Sequence, residues 1–258
     1  MPTPHDRAPA AGFGPAANLT PTANLTPTRK VPVRIGAAAL TLGVASAFAG
    51  FAIGPTVPDA FDLPAALQGF AEAPTRSHLH GFGISVSALL LLFGYCALAG
   101  GLADAPARWW ARAGLATAVV KTAIHLLGAT LGGSVLPTLA AQALDGRPDA
   151  PAVSPAAGSI YVLYEALLAP TFLTLAMTTA LFACALIAST EHSSLLGWAG
   201  LPPAAWAAIG GVTFILVGPL QAAELLLLFI PGFMLAMVWL FDVGVVSWRD
   251  AAQAARPR

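Results

Sequence analysis

Six stretches of this chain are long enough and apolar enough to cross a lipid bilayer, and that property restricts the fold more than any other. A helix needs roughly 20 mainly apolar residues to span a hydrocarbon core of about 30 Å. Residues 35–58, 81–103 and 193–223 contain no Asp, Glu, Lys or Arg. Residues 113–144 contain only Lys121, and residues 150–190 only Glu165. The last run, 225–241, extends through Asp242 to residue 246. In hydrocarbon every backbone polar group must find a partner inside the protein, which leaves helices and closed β-barrels. The runs are rich in Ala, Leu and Gly and lack period-2 alternation, so helices are expected. The fold class is all-α, a polytopic bundle of six transmembrane helices.

Charged residues make up 9% of the 258 positions and hydrophobic ones 57%, where soluble domains carry about 25% charge. Formal net charge is zero and no basic run occurs, which argues against nucleic acid as a partner. The partners left are the bilayer, a second copy of the chain, or another membrane protein. Basic residues are retained on the cytoplasmic side. Arg7, Arg29, Lys30, Arg34, Arg108, Arg112, Arg249, Arg256 and Arg258 fall on one side of the expected membrane and Arg76 and Arg147 on the other. Both termini are therefore expected in the cytoplasm of a bacterial cell, with the chain multi-pass in its plasma membrane. Trp109, Trp110, Trp198 and Trp248 fall near the same interface, where amphipathic indoles prefer to lie.

Residues 1–32 read as a disordered cytoplasmic tail, rich in Pro, Thr and Ala, in which residues 17–22 repeat at once as 23–28; such a composition builds no core. The two Asn-Leu-Thr triplets match a glycosylation sequon but fall on the cytoplasmic side. Residues 33–248 form the membrane domain and 249–258 a basic cytoplasmic tail. An alternative is a cleavable signal peptide ending near Ala45, Ala47 and Ala49, although the apolar stretch exceeds the usual h-region of about 7–15 residues. Cys96 and Cys184 are expected to be small buried apolar residues; no CxxC or cysteine framework is present.

A charge at mid-membrane costs roughly 2.5–3.5 kcal/mol on insertion scales, so ionisable residues there are functional candidates. Lys121 lies about 13 Å along a helix that runs outward from Arg112, and His125 shares its face at i+4. If the fourth span begins near Gly158, Tyr161, Tyr164 and Glu165 fall in its first two turns on one face. An antiparallel pairing of the third and fourth spans then makes a Lys121–Glu165 ion pair the economical solution. Such a pair can mark a polar pathway, or it can fix helix register alone.

His78 and His80 open the second span. At i and i+2 they diverge by about 200° in a helix, so they chelate one metal only from an extended segment. The H-x-H resembles the opening of helices in some haem- and copper-binding membrane families, and that resemblance implies His80 and His125 as the axial pair of a b-type haem. Pro231 and Gly232 lie mid-way along the last span, with Glu224 expected at the outer interface and Asp242 in the inner third. Pro170, five residues beyond Glu165, is placed to open the fourth span.

No nucleophile elbow, H-E-x-x-H or P-loop is present, which disfavours enzymatic chemistry, and the two three-helix halves show no internal repeat. The segment from Leu195 to Leu201 (Leu-Leu-Gly-Trp-Ala-Gly-Leu), together with Trp239-Leu240 and Gly244-Val245-Val246, is similar to the closing part of bacterial six-helix membrane proteins grouped as domains of unknown function. This resemblance implies a polytopic inner-membrane location and carries no site residue. The expected function is a small-solute or proton-linked membrane component with a polar cavity in the outer half, and no cofactor. The alternatives are haem- or metal-based electron transfer through His80 and His125, and a structural or sensory partner of another membrane protein.

Overall fold

A computed structural model describes residues 27–55, 62–145, 150–190, 192–217 and 223–253, with side chains described over 33–55, 62–145, 150–190, 192–217 and 230–252. The chain folds into helices α1 (Pro27–Ile53), α2 (Leu63–Glu72), α3 (Pro74–Gly101), α4 (Ala105–Thr130), a π-helical turn (Leu131–Val135), α5 (Leu136–Leu144), α6 (Ala150–Ala166), α7 (Leu168–Ile187), α8 (Ser194–Val217) and α9 (Ala223–Gln253). Among the described residues six spans are long and apolar enough to cross a membrane: Val33–Ile53, Pro74–Gly101, Ala105–Leu144, Ala150–Ile187, Ser194–Val217 and Ile230–Ala252. Their outward faces carry Leu42, Phe82, Leu89, Val120, Ile209 and Leu216, the last 79% exposed. A soluble domain does not leave such a belt in water; a multi-pass membrane protein solvates it with lipid.

Each span packs antiparallel on the next, and α9 returns to α1, so the six spans close a ring. One end carries Arg34 and Asp104 and is called here the terminal end; the other is the distal end. The α1–α3 contact is a small-residue seam: Gly36, Gly43 and Gly50, seven apart, lie against Ala97, Leu91 and Gly83. Without a hydrophobic force between helices in lipid, this close approach is what provides packing contact. The terminal half of the ring is filled by one apolar cluster that includes Leu40, Leu91, Tyr95, Leu175, Phe182, Met237 and Leu240. Trp239 enters it and donates from Nε1 to the Leu196 carbonyl at 2.8 Å.

Several expectations change. The third and fourth spans are 40 and 38 residues long, about 60 Å and 57 Å, roughly twice the thickness of a hydrocarbon core. Their excess, α5 and α6, rises at the distal end and packs with α2 around Leu67, Phe70, Leu136, Ala140 and Tyr161. This headpiece was not expected, although its signal was present: Asp62 in the N-cap position, Pro64 in the first turn, then Ala66, Leu67 and Phe70 on one buried face. The fourth span does not begin near Gly158. It begins at Ala150, with Pro151 in the first turn, where an orphan N–H is not needed, and Pro155 inside the helix. Tyr161, Tyr164 and Glu165 accordingly sit at the end of α6, not in its first turns. Helix α1 starts at Pro27 and α9 runs to Gln253. The Asn-Leu-Thr repeat is outside the described residues. Cys184 is half-buried, but Cys96 is exposed on the outer face of α3, a correction to its expected burial.

Candidate polar site in the α4–α7 seam

Gly114, Thr117, Lys121, His125, Gly128 and Gly132 follow one another at spacings of three and four, and they form the face of α4 and its π-turn that meets the fourth span. Gly114 packs under Phe182, Gly128 faces Leu167, and Gly132 lies against the Tyr164 ring. The Thr178 hydroxyl donates to the Thr117 hydroxyl at 3.0 Å, and Thr117 donates to the Gly114 carbonyl at 2.8 Å. The small residues let the helices approach; Lys121 and His125 are the two large polar groups between them.

Lys121 is 3% exposed. Helical side chains tilt toward the N-terminus of their own helix, so the aliphatic stem carries the ammonium toward the terminal end, where Nζ stands 5.7 Å from the centroid of the Tyr95 ring. The ring face is electron-rich, and a cation there gains about 2 kcal/mol when desolvated. Tyr95 stacks in turn on Phe182, centroids 4.8 Å apart and planes inclined by 21°. His125 donates from Nδ1 to the Lys121 carbonyl, 2.9 Å away. Lys121 and His125 thus share a face as expected.

Lys121 and Glu165 do not pair. The contacts Gly114–Phe182, Thr117–Thr178, Gly128–Leu167 and Gly132–Tyr164 set the antiparallel register. By that register Lys121 is level with Thr174, and Glu165 with Thr130 or Leu131, roughly nine residues or about 14 Å further toward the distal end. The spans are neighbours, as the economical pairing required, but the early start of α6 shifts the carboxylate out of reach. Glu165 instead accepts from the Tyr161 hydroxyl, and Tyr161 and Tyr164 pack edge-on against Phe70 of α2, with centroids 6.3 Å and 6.1 Å away. The expected five-residue cluster is therefore two groups, one mid-span and one under the headpiece.

The histidines of the H-x-H turn to different neighbours. Pro137 has no N–H to offer the carbonyl four residues back, Gly133, and the helix widens into the π-turn there. His78 Nδ1 fills the gap by donating to that carbonyl. His80 Nδ1 donates to the Gly50 carbonyl near the end of α1, at 2.9 Å, and its ring meets Phe51 edge-on. His80 therefore faces α1 while His125 lies on α4 in the seam with α7, and the geometry does not present them as an axial pair. Among the described residues no group of three or more His, Cys, Asp or Glu converges as for a metal. Asp242 is exposed on the outer side of α9; the Glu224 side chain is outside the described set.

Sequence reasoning missed Tyr95 and the Thr117, Thr178 and Thr179 hydroxyls. Tyr95 had a signal, a lone tyrosine in an otherwise apolar run; the threonines did not, since threonine in a membrane helix most often bonds back to its own chain. Compared with known proteins, the chain matches no family model, no curated protein and no solved structure. The expected likeness of its last seventy residues to a six-helix family is thus not shown; what the structure shows is six helices long and apolar enough to cross a membrane.

Proposed function

We propose that this chain is a small-solute or proton-linked component of a bacterial plasma membrane, with Lys121 as the charge that defines its site. The observation that supports this is the state of that ammonium: buried mid-span, over an aromatic ring, with no ion pair from the carboxylates among the described residues. An intramembrane cation is costly and is a functional-site candidate by default. The polar groups of the seam continue from Lys121 through His125 toward the Tyr161–Glu165 pair. With the termini in the cytoplasm, as the distribution of basic residues implies, this line leads to the outer side beneath the headpiece. Protein reconstituted in liposomes with internal pyranine is the test, read by stopped-flow light scattering against gradients of small solutes and by dye under an imposed potential. Wild-type flux that Lys121→Met removes, at an unchanged melting temperature, supports the reading. Wild-type protein that moves neither protons nor small solutes, or a Lys121→Met variant with full flux, overturns it.

A further inference from the structure

We infer that Lys121, Tyr95 and Thr179 bind one small monovalent anion, a halide or a carboxylate as small as formate. The inference rests on the reading of Lys121 as the functional charge and names the class of ligand that the site takes. Two hydroxyls in this region are fully buried and lack a hydrogen-bond partner, Tyr95 Oη and Thr179 Oγ1; Tyr95 is 1% exposed and Thr179 not at all. Buried polar groups in folded proteins nearly always have partners, so two orphans in one place ask for a ligand.

By register both lie near the level of the ammonium. Lys121 extends toward the terminal end and ends over the Tyr95 ring, about one turn from its own Cα and near the level of Thr117. Phe182 stacks on that same ring. Thr179 precedes Phe182 by three residues and so lies on the same face of α7, one turn nearer to Lys121. It is also adjacent to Thr178, whose bond to Thr117 marks this level. The neighbouring Thr117 and Thr178 hydroxyls are satisfied by Gly114 and by each other and are not needed. An ammonium and two free hydroxyls are all able to donate.

A water molecule would satisfy the hydroxyls and leave the positive charge uncompensated in a medium where that is costly. Two carboxylates in reach of the fold do not remedy this, since Glu165 is about 14 Å away along the seam and Asp242 faces outward. An anion satisfies both needs. One ammonium balances one negative charge, and Leu175, Phe182 and Ala183, at nearby levels of α7, are fully buried, which favours an occupant of a few atoms.

The test uses the full-length protein in detergent at constant ionic strength, with sodium gluconate replaced stepwise by sodium chloride, bromide or formate, and by sulfate as the divalent comparison. Unfolding is followed by tryptophan fluorescence. The expected result is a saturable rise in melting temperature with the three small anions and none with sulfate. Lys121→Met abolishes it. Tyr95→Phe and Thr179→Val, which keep shape and fold, each weaken the apparent affinity by about tenfold, the worth of one hydrogen bond to a charged group. A wild-type protein without saturable anion stabilisation, or a response equal in Tyr95→Phe, Thr179→Val and wild type, overturns the inference. If liposome flux depends on Lys121 while no anion stabilises the protein, the functional charge stands and the anion falls; if neither effect depends on Lys121, both fall.

Discussion

Single residues carry the distal junction between α3 and the third span. Pro137 removes the N–H that would have answered the Gly133 carbonyl, and His78 answers it from the neighbouring helix. Beside this bond Gly81 lies against the Gly133 backbone, where a side chain at either position would collide with main chain. The two local breaks of rule, a proline inside a span and a histidine at its rim, thus compensate each other. His78→Ala is expected to destabilise the protein by about 1–2 kcal/mol, the cost of leaving a buried carbonyl unanswered. In a Pro137→Ala background the new N–H takes over the carbonyl, so the same His78 change costs less. A double-mutant cycle on unfolding free energies in mixed micelles checks this; equal costs in both backgrounds would show the two residues to be independent.

At the scale of elements, loops as well as helices hold the seam. Asp104, just before α4, accepts from the Thr190 N–H at 2.7 Å and the Thr190 hydroxyl at 2.9 Å, which ties the α3–α4 loop to the α7–α8 loop. These bonds, to the backbone first and the side chain second, hold the Asp104 carboxyl below its ordinary value of 3.8. A lowered folded value means that the stabilisation is complete above the unfolded value and fades as pH falls through the folded one. Melting temperatures of wild type should therefore drop below about pH 4 by more than those of Asp104→Asn, which has no charge to lose. Identical profiles would show the tie to be inert. The headpiece is a second example of elements acting together: α2, with 10 residues, is too short to be stable alone, and it shares Phe70, Leu136 and Tyr161 with α5 and α6 as a common core.

The whole molecule is a ring whose closure depends on the return of α9 to α1. Arg34 donates to the Ala251 carbonyl at 3.0 Å, Phe51 meets Phe233, and Gly244 packs on Thr41 and Ala37. Gly244→Leu should strain the closure, because a Cβ there would lie 2.7 Å from Thr41 Oγ1, and cost about 1–3 kcal/mol. Gly100→Leu, at a site with nothing within 4 Å, is the matched control expected to leave unfolding in SDS unchanged.

The number and place of the six spans were legible from residues alone, because the expulsion of charge from hydrocarbon acts on composition and needs no knowledge of neighbours. The same holds for the shared face of Lys121 and His125, and for the divergence of His78 and His80, which helical periodicity dictates. Which groups meet across helices was not legible. The distance between Lys121 and Glu165 depends on where α6 begins, and that start is decided by packing of the α2–α5–α6 headpiece, not by any local signal near Gly158. The Tyr95 ring beneath Lys121 depends on the angle and register of three helices at once. Solvation is a property of the segment, whereas register is a property of contacts between segments, and only the tertiary structure contains those.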